Sequence, residues 1–374
     1  MVEHVVVVGA GVYGAAVTAS LTNRGARVTV VDAGAAGGGT SGATFSWINS
    51  CGKQPRPYHD LSVAGMAAHQ SLAAQVPHGH WYHGGGNLQW AADEAGREAL
   101  RRKVSDVLEY GYEARWLTPA EALRLEPDMD AAGLADEIAY FPREGWIEPV
   151  RLIAHLLSSA MSGGGAELVC NDAVVGLELA GGLVRVVRLA SGRQILADAV
   201  VNCAGPQAAT IARLADLNLP MRNVLGALVC TSPVAVSVSR VVHAPQVHLR
   251  PDGGGRLLLH THQIDSAVQV SDNGEAWVDR SAIDTVLAAG CALYPGLRAA
   301  TVESMRVGER PIPADGLPVL GRAVEPANFF FAVSHSGATL CLHAGGLVAA
   351  EVLGEDREEA LAAFRFERLG MPTR

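Results

Sequence analysis

Aromatic residues are scarce in this chain, 5% of 374 positions, so its core is not built around stacked rings. Positive charge is scarce too. Against 38 acidic residues there are 29 lysines and arginines and no basic block, a net charge of −9, which argues against a nucleic-acid partner or an anionic membrane surface. The six cysteines, at positions 51, 170, 203, 230, 291 and 341, never form a C-x-x-C pair. That spacing excludes a zinc ribbon or a dithiol redox motif, and the apolar contexts of several read as buried free thiols in a reducing compartment. Long apolar runs are missing as well: VVVVGAGVYGAAV is broken by glycines and too short to span a bilayer. Neither a basic leader nor a cleavage site precedes the first apolar segment, so the expected location is the cytoplasm. What is abundant is glycine, 42 residues, within a chain that is 49% hydrophobic and long enough for two domains. Together these indicate an α/β protein rich in small residues.

The most informative stretch is VEHVVVVGAGVYGAAVTASLTNRGARVTVVDAG, starting at residue 2. An apolar strand leads into G-x-G-x-x-G at Gly9, Gly11 and Gly14, then a helix, then a second strand ending at Asp32, eighteen positions after Gly14. Gly9 permits the tight turn, Gly11 lets backbone approach a pyrophosphate, and Gly14 lets the helix pack closely on the strand. The helix start at Val12 and Tyr13 presents unpaired N–H groups to phosphate, and Asp32, followed by Ala33, is placed to accept hydrogen bonds from a ribose. The pattern implies a bound dinucleotide and leaves NAD and FAD equally open.

Farther along, residues 59–76 have helical periodicity, residues 85–92 read as a strand and residues 94–112 as an amphipathic helix. TPAEALRLEP carries a cap at Thr118 with Pro119 as first helical residue. EPVRLIAHLLSSAM is a helix, followed by strands in VCNDAVVGLEL, LVRVVRLA and QILADAVVNCAG, and by a helix in PQAATIARLAD. Residues 223–300 supply strand segments (LGALVCTS, SRVVHAP, VHLRPDG, GRLLLHTHQ) and a helix. The end holds RVGERPIPADGLPVLGR, a strand in FFFAVS and a helix in TLCLHAGGLVAAEVLG. Rossmann-type units thus occur at the start, middle and end, with antiparallel-looking strands between. This order predicts a nucleotide domain made of three discontinuous pieces and a mostly antiparallel domain inserted twice.

RVGERPIPADGLPVLGR resembles the G-x-R-P-x-x-x-D-G-x-P-x-x-G segment of the D-amino-acid-oxidase-like flavoenzymes, in the branch of glycine oxidase and sarcosine oxidase. FFFAVSHSGATLCLHAGG, TSGATFSW and VVNCAG match that family in order and spacing, so the resemblance covers essentially the whole chain. It implies FAD rather than NAD, and oxidation of a carbon–nitrogen bond of an amino acid, N-alkyl amino acid or related amine, with hydride passing to the flavin and oxygen or another acceptor reoxidising it. The implied fold is α/β plus α+β: FAD-binding segments at 1–80, 146–222 and 305–374, and substrate-domain segments at 81–145 and 223–304. Implied cofactor contacts are the fingerprint residues with Thr40, Ser41, Ser46, Trp47, Val174, Ala204, Gly205, Arg310, Gly337, Ala338, Thr339 and Leu340. Arg310 is expected to bind a substrate carboxylate, the alternative being an ion pair with Asp315 or Glu309. His335 is expected beside the flavin, and Trp47 either walls the pocket or is core. Thr339 contacts the flavin or caps its helix. VGERP lacks the cysteine through which sarcosine-oxidase members tether flavin, which implies noncovalent FAD.

One departure concerns the substrate. The family sets a tyrosine from the substrate-domain sheet against the carboxylate, and residues 223–280 contain none. LLLHTHQ offers instead His260 and His262, two apart and so expected on one strand face, where they line the pocket, bind a metal or are solvated. HGHWYH at 78–83 is expected to be a turn before a strand rather than a metal site, and no metal is expected elsewhere. A flavoenzyme oxidising a hydroxy acid or polyol C–O bond is the alternative reading, and oligomeric state stays open.

Overall fold

The computed structural model describes residues 2–76, 79–271 and 274–370. Its first layer is a six-stranded sheet ordered Val319–Arg322, Phe329–Val333, Ala199–Asn202, His4–Val8, Arg27–Val31 and Ala166–Val169. All neighbours are parallel except the first pair. The central strand is an unbroken valine run because both faces are covered. Val5 and Val7 pack among the helices Val12–Thr22, Pro149–Ser162 and Gly337–Val352, while Val6 and Val8 pack against the other face with Leu177, Val187 and Ile211.

The second layer is an eight-stranded, mostly antiparallel sheet ordered Val302–Arg310, Val224–Thr231, Leu257–His260, His248–Pro251, Val241–His243, Asn87–Gln89, Ile138–Phe141 and Arg115–Leu117. One face is apolar: Ala227, Val229, Leu257 and Leu259 pack with Val286 and Leu293 of the helix Arg280–Leu293. Side chains on the other face turn toward the nucleotide layer, and this face carries the polar chemistry described below. Each sheet takes strands from before and after those of the other, so the fold is the interleaved α/β plus α+β arrangement that the element order predicted.

Local signals mostly held. The helix Pro119–Leu125 opens with a reciprocal capping box between Thr118 and Glu121. Three readings need correction. VCNDAVVGLEL is not one strand: Ala166–Val169 ends, the chain turns through Asn171 at φ 56, and Val174–Ala180 begins a separate sheet. The strand in LLLHTHQ stops at His260, because the Thr261 hydroxyl caps a short helix, His262–Ser266, so strand alternation does not relate His260 to His262. The boundary expected at 305 falls inside the strand Val302–Arg310, whose register with Val224–Thr231 ties it to the eight-stranded sheet. In HGHWYH, His78 lies outside the described residues, and Tyr82–His83 forms a short strand. Among the described residues no helix is long and apolar enough to cross a membrane, and no three His, Cys, Asp or Glu side chains are arranged to hold a metal ion.

Candidate active site

A cleft of about 600 Å³ opens over the carboxyl ends of the parallel strands. The three pieces of the nucleotide layer all line it: Gly9, Gly11, Val12, Tyr13, Asp32, Ala33, Thr40 and Ser41 from the first, Val174, Ala204 and Gly205 from the second, and His335, Gly337 and Ala338 from the third. Its floor admits nothing larger than glycine. Gly9 has φ 104, and a Cβ there would lie 2.4 Å from the Cys203 carbonyl oxygen. A Cβ on Gly14 would lie 1.8 Å from the Gly9 carbonyl oxygen, which is the close helix–strand approach its spacing implied. Asp32 holds the turn from below: its Oδ2 accepts from the Ala10 amide at 2.7 Å and its Oδ1 from the Gly34 amide at 2.8 Å. Each carboxylate oxygen keeps further acceptor capacity for a ribose. Ser41 Oγ accepts from the Val12 amide at 3.2 Å, and Thr40 donates to the Glu309 carbonyl at 2.5 Å, stitching the first piece to the strand Val302–Arg310.

Other expected contacts do not line this cleft. Gly14 lies beneath the turn, as its packing role requires. Ser46, at φ 48, is buried, with its hydroxyl accepting from the buried Arg250 guanidinium at 3.1 Å and its carbonyl from the Ile147 amide. Trp47 donates through Nε1 to Glu144 at 3.0 Å and tilts over His243 with ring centroids 4.2 Å apart. Thr339 neither caps its helix nor faces the cleft: the N-cap is Ser336, and the buried Thr339 hydroxyl accepts from the Asn49 amide. Leu340 is core. His335 is exposed to the cleft. Desolvation by the surrounding protein, then the cations Lys53 and Arg310, lower its pKa to about 4, so it is neutral at pH 7.

Arg310 lies over Gly226, where a Cβ would meet its guanidinium at 2.4 Å, and it is close enough to His335 at the cleft for its charge to act there. Its ionic partner is neither Asp315 nor Glu309 but Asp265, 2.8 Å away. Asp315 is instead held by Arg368 and makes the expected turn, with Gly316 at φ 82. Asp265 also accepts from His260 Nε2 at 3.0 Å and from the Ala227 amide at 2.9 Å. Burial alone would raise its pKa, but the His260 hydrogen bond, the amide and Arg310 together hold it below the ordinary carboxylate range.

Around His260 gather His243, His248 and His262, with ring centroids 4.5 to 5.6 Å apart. His248 pairs with both His243 and His260 in the sheet register, so three of these rings share a face by pairing of neighbouring strands. His243 hydrogen-bonds Asn87 at 2.7 Å, and Asn87 donates to Glu144. Glu144 is fully buried and accepts four N–H groups, from Trp47, Ser50, Cys51 and Asn87. Asp265, His248, Arg250 and Glu144 had not been expected at the site. The one available signal was the H-x-R alternation in VHLRP, which puts His248 and Arg250 on one strand face.

A family model for FAD dependent oxidoreductases matches residues 4–352. Glycine oxidase of Geobacillus kaustophilus (strain HTA426) is 27% identical over 373 residues, covering 97% of this chain and 96% of that protein. The crystal structure of glycine oxidase from Geobacillus kaustophilus is similar with a TM-score of 0.84, covering 97% of this chain and 98% of that one. Iminodiacetate oxidase from Chelativorans sp. BNC1 is 27% identical with a TM-score of 0.78, covering 96% and 98%.

Proposed function

This chain belongs to the FAD dependent oxidoreductase family, and on that premise we propose that it holds FAD noncovalently in the cleft and oxidises the C–N bond of a small amino acid or N-alkylated amino acid. When bound, FAD supplies a two-electron acceptor for hydride from the substrate α-carbon. The Gly9 turn and the first turn of Val12–Thr22 cradle the pyrophosphate, while Asp32 takes the ribose. The start of the helix Gly337–Val352 aims a positive dipole end into the cleft, where it stabilises developing negative charge. Cys341 forms no covalent tether: it is buried in that helix, and burial pushes its thiol up to about 12.

The observation that carries the substrate class is Arg310. One guanidinium nitrogen serves Asp265, and among the described residues no hydrogen bond engages Nε or Nη1. Those donors suit a carboxylate held bidentately, which orients the α-carbon. Glycine oxidase and iminodiacetate oxidase, the similar proteins, are both named for small amino carboxylates, which supports the same class. Water hydrolyses the imine product to an oxo acid and ammonia, or to an oxo acid and a primary amine when the substrate is N-alkylated, and the final electron acceptor would be oxygen or another oxidant.

Purified protein is expected to be yellow, to release its flavin on acid precipitation and to be bleached anaerobically by glycine, sarcosine or another small amino acid. Arg310→Ala raises the apparent Kd for such substrates about 10- to 100-fold with FAD content unchanged, the loss for one charge-assisted hydrogen-bonding group. A colourless protein that takes up no FAD sinks the cofactor assignment. Bleaching by hydroxy acids but by no amine sinks the C–N assignment.

A further inference from the structure

We propose that Asp265, His260 and His248 form a proton relay that takes the proton from the substrate's ammonium group before its C–H bond is oxidised. The inference rests on the amine-oxidation reading above and adds residues that it does not require. An α-amino acid is mostly an ammonium ion at neutral pH, and hydride leaves its α-carbon only once the nitrogen has a lone pair to donate. A protein proton acceptor joined through His260 to Arg310 therefore changes which form of the substrate is competent to bind.

The geometry assigns the tautomers. His260 Nε2 lies 3.3 Å from the donor-only Arg310 Nη2 and 3.0 Å from Asp265, which Arg310 and the Ala227 amide hold ionised and which only accepts; the shorter contact places the His260 proton on Nε2. His260 Nδ1 is then bare and faces His248 Nδ1 at 3.4 Å, so the shared proton belongs to His248. This leaves His248 Nε2 as a lone pair. His260 is buried, whereas His248 is half-buried, making His248 the outward member of the pair. The groups facing the pair are His243, His262, Arg310, Asp265 and, at longer range, Lys103.

In the relay step the ammonium N–H bond breaks and its electron pair stays on nitrogen. His248 Nε2 gains that proton, and the His248 Nδ1 proton moves to His260 Nδ1. His248 stays neutral overall and His260 becomes an imidazolium facing the Asp265 carboxylate. FAD, when bound, would supply the two-electron oxidant for the α-C–H bond of the neutral amine. Burial, then the neighbouring imidazoles and Lys103, lower the His248 pKa to about 3, so this ring transmits charge rather than storing it. Asp265 makes His260 the place where charge rests.

The test uses holoenzyme and the probes glycine and sarcosine. Anaerobic flavin reduction, expressed as rate over Kd, is followed from neutral to alkaline pH. In the wild type the low-pH limb is expected to be the same for both probes. In His248→Gln and His260→Gln the limb moves up to each probe's own amine pKa. Reduction then slows about 100-fold at neutral pH, the scale of general-base catalysis, and recovers at high pH. A purely structural defect does not recover with pH, and flavin content and thermal unfolding check each variant. Long-range ¹H–¹⁵N spectra of the histidines supply a second readout that needs no turnover: an Nε2–H tautomer for His260 and an Nδ1–H tautomer for His248, with the His260 preference lost in Asp265→Asn. Unchanged profiles in both variants, or an Nδ1–H tautomer for His260, overturn the relay while leaving amine oxidation intact. Failure of both probes and every other amine to reduce the wild type overturns the two readings together.

Discussion

Gly14 and His69 illustrate how single residues set the limits of this site. A methyl group at position 14 would have to displace the Gly9 carbonyl, which itself lies at the phosphate turn. Gly14→Ala is therefore expected to cost about 1–3 kcal/mol, the range for overpacking, and to lower flavin content with it. Urea unfolding and the ratio of flavin to protein absorbance check both. His69 donates through Nε2 to the Ala338 carbonyl at 2.8 Å, leaving a buried, unpartnered Nδ1, and burial lowers its pKa to about 4. The unfolded chain protonates this residue near 6.5 and the folded chain near 4. Between those values the unfolded state binds the extra proton, so stability rises with pH through that window and is lost as pH falls. The contribution is about 3 kcal/mol at full extent. His69→Gln is expected to flatten the dependence of unfolding free energy on pH between 7 and about 4.5, and an unchanged slope would show that His69 is not its source.

At the scale of elements, the segment from Ser46 to Cys51 is held in place by one carboxylate. Glu144 gathers the Trp47 indole, two consecutive backbone amides and Asn87, and through Asn87 it reaches the imidazole face of the other sheet. Glu144→Gln turns two N–H groups toward existing donors and leaves at least one of them unsatisfied. The expected cost is about 1–3 kcal/mol, with Trp47 fluorescence altered by loss of its indole partner. The helix Gly337–Val352 is fixed in a comparable way. The helix Arg56–Gln75 approaches so closely at Gly65 that a Cβ would meet the Thr339 carbonyl oxygen at 2.3 Å, and His69 binds the next turn. Gly65→Val is expected to push the helix start out of the cleft, weakening FAD binding. The check is a loss of the thermal shift that added FAD produces, about 2.7 kcal/mol at a hundredfold excess over Kd.

For the whole molecule, interleaving has a direct consequence. The strand His4–Val8 has Ala199–Asn202 on one side, and Ala199–Asn202 is covered on its other side by Phe329–Val333, from far later in the chain. A fragment of residues 1–222 lacks that strand, the last helix and most of the eight-stranded sheet. It is expected to show no cooperative unfolding and no flavin uptake; a cooperative, yellow fragment would overturn the view that the sheets fold together. Much of this architecture was legible beforehand, because the G-x-G-x-x-G turn, the apolar runs and the cap at Thr118 are local. The Arg310 partner was not: Asp265 lies forty-five positions away, and no local pattern joins them. Ser46, Trp47 and Thr339 owe their expected place near a flavin to their order in the chain, while the partners of their hydrogen bonds, Arg250, Glu144 and Asn49, come from distant segments that no local pattern announces.

The sequence by itself determined the dinucleotide turn, with Gly9, Gly11, Gly14 and Asp32, since backbone geometry at a glycine and the period of a strand are properties of a few consecutive residues. It also determined that the nucleotide layer is discontinuous, because element order is written along the chain. Tertiary structure alone decided the chemistry of the opposite wall. Strand register brings His243, His248 and His260 together, and a turn capped by Thr261 swings Asp265 back onto Arg310. Such contacts depend on which strands pair and in what register, and those are settled by burial of the whole sheet rather than by any segment of it.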